Sequence, residues 1–193
     1  MKNLMECFRA RILPAAITLG VTMLAANSAF PQLQISEEAR ALGTRWLFSN
    51  CGTGEGRSLG SKLGQFKVEL EPFFLAALQQ GPDESQLAEQ QRASEARYQQ
   101  RQEVLKSNRQ LPLSEEDRRA AQAVSREQYL AQEKEDFVQR YKSQAVAGLG
   151  IVGGPKAKAA LEILGKDEKS PLQGSAQQAL KTMAAGAKGK PSQ

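Results

Sequence analysis

The 193-residue chain has no histidine, so the usual neutral-pH general base and the commonest metal ligand are both missing. It holds two cysteines and one tryptophan, and aromatic residues make up 6% of it. No Cys-x-x-Cys, His-Glu-x-x-His or Ser-x-x-Lys pattern occurs, which removes the common redox-pair, zinc-hydrolase and serine–lysine signatures. Valine, isoleucine and threonine are sparse, while alanine, leucine, glutamine, glutamate, lysine and arginine dominate. Straight-chain helix formers therefore replace the β-branched residues that build strands, and the chain reads as all-α.

The first thirty residues differ from the rest. Lys2, Arg9 and Arg11 precede an apolar run from Ile12 to Ala26, and the small residues Asn27-Ser28-Ala29 follow. This order fits a signal peptide over 1–29, because a spanning helix needs about twenty apolar residues. An uncleaved signal anchor is the alternative. The first reading implies a periplasmic or secreted protein, the second one tethered near a membrane. Cys7 lies inside this segment and no cysteine follows its small-residue exit, so a lipid attachment site is not supported. Beyond it the charge is uneven. Residues 30–83 carry five bases and six acids, 84–142 carry eleven of each, and 143–193 carry seven lysines against three acids. A basic end built from lysines without interleaved aromatics argues against nucleic acid as a partner and reads as a solvated tail over 187–193, although contact with an anionic surface is a weaker option.

Ser36-Glu37-Glu38-Ala39 has the form of a helix start, with Leu42, Trp46 and Leu47 at helical spacing behind it. A first helix to about Phe48 follows, ended by the glycine-rich stretch from Gly52 to Gly64. A second apolar segment spans Leu59 to Leu78, with Pro72 in an expected first helical turn and Gly81-Pro82-Asp83 as its stop. Residues 84–142 then read as a charged antiparallel helical hairpin, broken at Asn108 to Pro112 and restarted at Ser114; a partly disordered insertion is the alternative. In the second arm Val124, Ala131, Val138 and Ala145 recur every seven residues, flanked by Leu130, Phe137 and Tyr141. The first arm offers a thin seam of Leu87, Tyr98 and Leu105.

Sliding the chain against itself by 86 residues puts Leu63-Gly64, Leu75 and Leu78 on Leu149-Gly150, Leu161 and Leu164, and Phe66 on Val152. The stretch from Ala145 to Leu180 carries Ala147 and Leu149-Gly150 at a helix end, Ile151 and Gly153 in a turn, and Pro155 opening the next helix. Ala157, Leu161 and Leu164 follow along that helix, Asp167 stands in a loop, and Leu172, Ala176, Ala179 and Leu180 lie on a return helix. This pattern resembles the short HEAT-like repeats of bilin lyases and many bacterial scaffolding proteins. The likeness is clear over 145–180 and degenerate over 59–93. It implies a short α-solenoid of helix pairs, one in 30–83 and one in 143–186, interrupted by the hairpin. Its implied repeat core is Leu63, Phe66, Leu75, Leu78, Leu149, Val152, Leu161, Leu164, Ala176 and Leu180. The family often follows its loop aspartate with valine-arginine; Leu172-Gln173 stands here, which places the usual aspartate–arginine ladder in doubt.

The glycines of Gly52 to Gly64 match neither the P-loop nor the dinucleotide fingerprint. In the repeat layout they are breaks and close-contact points. Cys51 is the single thiol of a cleaved chain, so it is either a small buried residue behind Trp46-Leu47-Phe48 or a reactive thiol. Glu69 and Glu71 read as first-turn acids suited to their own helix dipole. The functional expectation is a non-enzymatic, exported protein-binding or assembly scaffold with no cofactor and no metal. A thiol-dependent redox partner or enzyme using Cys51 is the alternative from another class.

Overall fold

A computed structural model describes residues 35–49, 54–107 and 114–188, and all the regular structure among them is α-helical. The helices are α1 (Glu37–Phe48), α2 (Gly54–Leu63), α3 (Lys67–Gln80), α4 (Glu84–Ser107), α5 (Glu115–Ala123), α6 (Arg126–Val152), α7 (Pro155–Lys166) and α8 (Gln173–Lys188). The α1 start is the expected one, with the Ser36 hydroxyl accepting from the Ala39 amide. Gly81 (φ 75°) ends α3 and Gly153 (φ 70°) ends α6, each in a backbone region that side chains disfavour.

Around the C-terminal half of α6 the helices outside the hairpin pack into one stack. α1 packs on α2, α3 on the C-terminal half of α6, and α7 on α8. Directions follow from close approaches. A Cβ on Gly43 of α1 would lie 2.7 Å from the Phe73 ring, and one on Gly148 of α6 would lie 2.8 Å from the Phe74 ring. The adjacent phenylalanines of α3 thus each press on a glycine of a different neighbour, where any side chain would hold the helices apart. Ser36 meets Glu69 and Gly43 meets Phe73, so α1 and α3 run parallel; Phe74 meets Gly148 and Gly81 meets Lys142, so α3 and α6 run antiparallel. Gly150 against Ala179 and Gly153 near Met183 make α6 and α8 parallel.

Two acids of α3 fasten it to neighbouring helices. Glu69 accepts the Ser36 amide at 2.7 Å, at the start of α1, and Glu71 accepts the Ala157 amide at 2.7 Å, in the first turn of α7. Hydrogen bonds from Ser36, first its side chain and then its backbone, hold the Glu69 carboxyl below its ordinary value. Glu69 stands in the first turn of α3, as expected from the sequence, and also serves the start of α1; Glu71 lies two residues further along α3 and serves the first turn of α7. Gly154 (φ 112°) makes room for the second clasp, since a Cβ there would fall 2.3 Å from the Glu71 carboxylate.

Other expectations need correction. Three of the glycines read as breaks, Gly54, Gly56 and Gly60, lie inside α2, where Leu59 and Leu63 sit four apart and buried and thereby supply the helix with a core-facing edge. Pro72 is the sixth residue of α3, not a first-turn residue, because the buried line Leu70, Phe74 and Ala77 draws the start back to Lys67. The arm restarted after Ser114 breaks again: Ser125 opens α6 with a full capping box to Gln128. Of the seven-residue series only Ala145 is buried, while Ala131 is exposed. The buried line of α6 is Phe137, Tyr141, Ala145, Val146, Leu149 and Val152. α6 also runs unbroken through the boundary expected at 142/143, and α8 runs to Lys188, past the expected end of its unit at 186.

Candidate functional site

The hairpin is held largely by polar chemistry, beside the buried Leu105 of α4 and one aromatic pair. Ser94, 2% exposed, receives hydrogen bonds from Gln90 and Arg97 and donates to Glu133. Arg97 reaches Glu133 at 2.6 Å, and Arg126 grips Glu95 through two nitrogens at 2.7 and 2.5 Å. The Tyr98 and Tyr129 rings lie 5.4 Å apart, with the Arg101 guanidinium 5.6 Å from the Tyr129 centroid. At Glu133 burial works to raise the carboxyl, and the Arg97 hydrogen bond and charge with the Ser94 hydroxyl overcome it, leaving it below its ordinary value. Glu95 is lowered first by its Arg126 hydrogen bond. No buried side-chain nitrogen or oxygen among the described residues lacks a partner.

Where this hairpin meets α1, the side chains change character. Phe48, the last residue of α1, is 51% exposed although its ring stacks on Phe137 (centroids 6.1 Å) and meets Tyr141 edge-on (5.9 Å). Phe137 and Tyr141 are four apart on α6 and buried, so they form a floor on which Phe48 stands half in water. Burial pushes the Tyr141 phenol above its ordinary value, against a hydrogen bond with Gln86 that draws it down. The junction is locked by two long-range bonds: the Trp46 indole donates to the Gln144 carbonyl at 2.8 Å, and the Gln144 amide donates to the Ser49 carbonyl at 2.6 Å.

The result is a groove. Its aromatic end, of about 490 Å³, is lined by Leu47, Phe48, Phe137 and Tyr141; its polar end, of about 590 Å³, by Arg97, Glu133 and Asp136. Gln90, Gln139 and Arg140 line both ends, which therefore adjoin. A second groove of about 610 Å³ lies over the Glu71 clasp, between Val68, Ile151, Val152, Pro155 and Met183.

The residues named as repeat core are placed inside the stack. Leu63, Leu149, Val152, Leu161 and Ala176 are buried in one cluster, against which Phe66, Leu75, Leu78, Leu164 and Leu180 are partly buried. The structure brings them together as packing, not as a chemical site. Cys51 lies outside the described residues. Sequence reasoning missed the groove because Phe48 and Phe137 stand 89 positions apart in the chain; the Phe137–Tyr141 spacing was its one local signal. Among the described residues, no group of three or more cysteines, aspartates and glutamates is placed to hold a metal ion, and no helix is long and apolar enough to cross a membrane. Comparison with protein-family models, with curated proteins and with solved structures returns no match for this chain.

Proposed function

We propose that this is an exported, non-enzymatic helical-repeat protein that serves as a protein-binding or assembly scaffold, with the aromatic groove as its binding surface. The observation that carries the reading is Phe48, a phenylalanine half exposed on a built aromatic floor, the kind of side chain that anchors a partner at an interface. The short α-solenoid reading is supported by the parallel runs of α1 with α3 and of α6 with α8, and by the antiparallel turn from α3 to α6. The 86-residue shift lays α3 (67–80) on positions 153–166, the stretch ending with α7, and lays Glu71 on Ala157, the two groups that hydrogen bond. Where the family has an aspartate–arginine ladder, the Glu69 and Glu71 clasps join α3 to α1 and to α7. Export rests on the basic, apolar and small-residue order of positions 1–29.

The experiment is affinity capture from the envelope fraction with wild-type protein and with Phe48→Asp. A partner held by the first and lost by the second is expected, with the circular dichroism of the two unchanged. Equal recovery by both would remove the groove from the function, and a mature cytoplasmic chain retaining Met1 would defeat the export reading.

A further inference from the structure

We propose that the second groove, over the Glu71 clasp, is a seat for an anionic lipid bilayer, which would hold the protein on a membrane while the aromatic groove takes its protein partner. The two grooves share no lining residue, so one does not block the other. Val68, in the first turn of α3, is 74% exposed, more than Phe48, and lines this groove with Pro155 and Met183. Lys67 lines it too, and Lys156, next to Pro155, is exposed. α7 opens here with Lys156 and Lys158 and has no acid in its first turn, so its positive helix end adds to the lysines. The one acid of the lining, Glu71, is turned onto the Ala157 amide. Exposed apolar side chains flanked by lysines are the combination that lies at the boundary between acyl chains and phosphate headgroups.

The kind of base decides between a bilayer and an acidic protein. Residues 84–142 hold eight arginines and three lysines, and there arginine grips carboxylates, Arg97 at Glu133 and Arg126 at Glu95. Residues 143–193 hold seven lysines and no arginine. A planar guanidinium matches a fixed carboxylate through two parallel bonds, whereas an ammonium is a point charge that demands no particular partner geometry. A face whose bases are all lysines therefore fits a fluid layer of headgroup phosphates better than the placed carboxylates of an acidic peptide. The net charge has the right sign, since three acids stand against those seven lysines, and the arm, with eleven acids and eleven bases, offers no such attraction.

The test is co-sedimentation of the protein, carrying the N-terminus its cell leaves on it, with vesicles of phosphatidylcholine alone and of phosphatidylcholine and phosphatidylglycerol in equal parts. Binding to the mixed vesicles that falls as salt rises is expected, with little to the neutral ones. Lys67→Gln and Lys156→Gln should each weaken it about fivefold, the worth of one lysine at an anionic surface, whereas Lys134→Gln on the arm should not. Val68→Asp should weaken it at least as much, and Val68→Leu should keep it. All four positions are exposed, so the variants should melt like the wild type. Absence of binding to the mixed vesicles, equal binding to both kinds, or a loss no greater with Lys67→Gln than with Lys134→Gln overturns the proposal. Retention on immobilised polyglutamate with none on the mixed vesicles overturns it as well and assigns the face to an acidic protein. Phe48→Asp should bind vesicles like the wild type, so failure of this proposal leaves the aromatic groove standing, and failure of partner capture leaves the lysine face standing.

Discussion

The two halves of α6 are held by opposite means. Its C-terminal half is gripped by the stack through Ala145, Val146, Leu149 and Val152, all at or below 2% exposure. Its N-terminal half is tied to α4 by Arg126–Glu95, Arg97–Glu133 and one buried serine. Apolar burial is worth about 25 cal/mol per Å² wherever it occurs, whereas exposed ion pairs contribute at most about 1 kcal/mol each. The stack therefore supplies the stability, and the hairpin is a specified but lightly held arm. Such an arm opens locally at lower cost than the body from which it extends.

The largest effect that bears on this contrast is truncation in the stack. Leu149→Ala or Leu161→Ala should cost about 2–5 kcal/mol in denaturant unfolding, since both side chains are fully buried. A cost near zero would mean that the stack is not the stable half. Next comes Gly150→Val: even its first carbon would sit 2.8 Å from the Ala179 backbone, so overpacking of about 1–3 kcal/mol is expected. Removing the Glu71 clasp with Glu71→Ala should cost about 1 kcal/mol, as one hydrogen bond to the first turn of α7 is lost.

On the hairpin side the effects shrink and acquire a pH dependence. Arg97→Ala should lower global stability by no more than about 1 kcal/mol while raising hydrogen exchange in α4 far more than in α7. The carboxyls of Glu95 and Glu133 are held below their ordinary value of 4.5 in the folded chain. Their contribution is complete above that unfolded value and is lost as pH falls through the lower folded ones. Amide exchange in α4 should consequently rise below about pH 4.5 before that of the α7–α8 pair. Glu69 titrates in the same direction on the stack side and should loosen the start of α1. The smallest change is a gain. A Cβ on Gly60 would meet Ile151 and Trp46 at 3.5 and 3.6 Å, ordinary contact, so Gly60→Ala should stabilise α2 by about 0.4–1 kcal/mol in a thermal melt.

What the sequence disclosed was local. Ser36 and Gly81 mark helix ends through the chemistry of their own side chains and backbone, and the balanced charge of 84–142 announces polar helices whatever surrounds them. α2 was hidden because three glycines in ten residues argue against a helix until Leu59 and Leu63 find a core. The capping box at Ser125–Gln128 was written in the sequence, yet the Ser114 signal eleven residues earlier drew the reading to itself. Glu69 and Glu71 look like first-turn acids in one dimension, and only the tertiary placement of α1 and α7 shows whose amides they serve. The groove was least legible of all, since its aromatic residues come from two helices with four others between them in the chain.

The continuity of α6 has one further consequence, which concerns angle. A helix advances 100° per residue, and this 27-residue rod, about 40 Å long, is both an axle of the stack and an arm of the hairpin. A single residue inserted between Phe137 and Ala145 would leave both halves chemically intact but turn one against the other by about 100°, carrying Phe137 out from beneath Phe48. Seven inserted residues would return the faces to within about 20° of their present phase, at the cost of moving them about 10 Å apart. The relative bearing of arm and body is thus stored as a residue count along one helix, and the Phe48–Phe137 contact depends on that count.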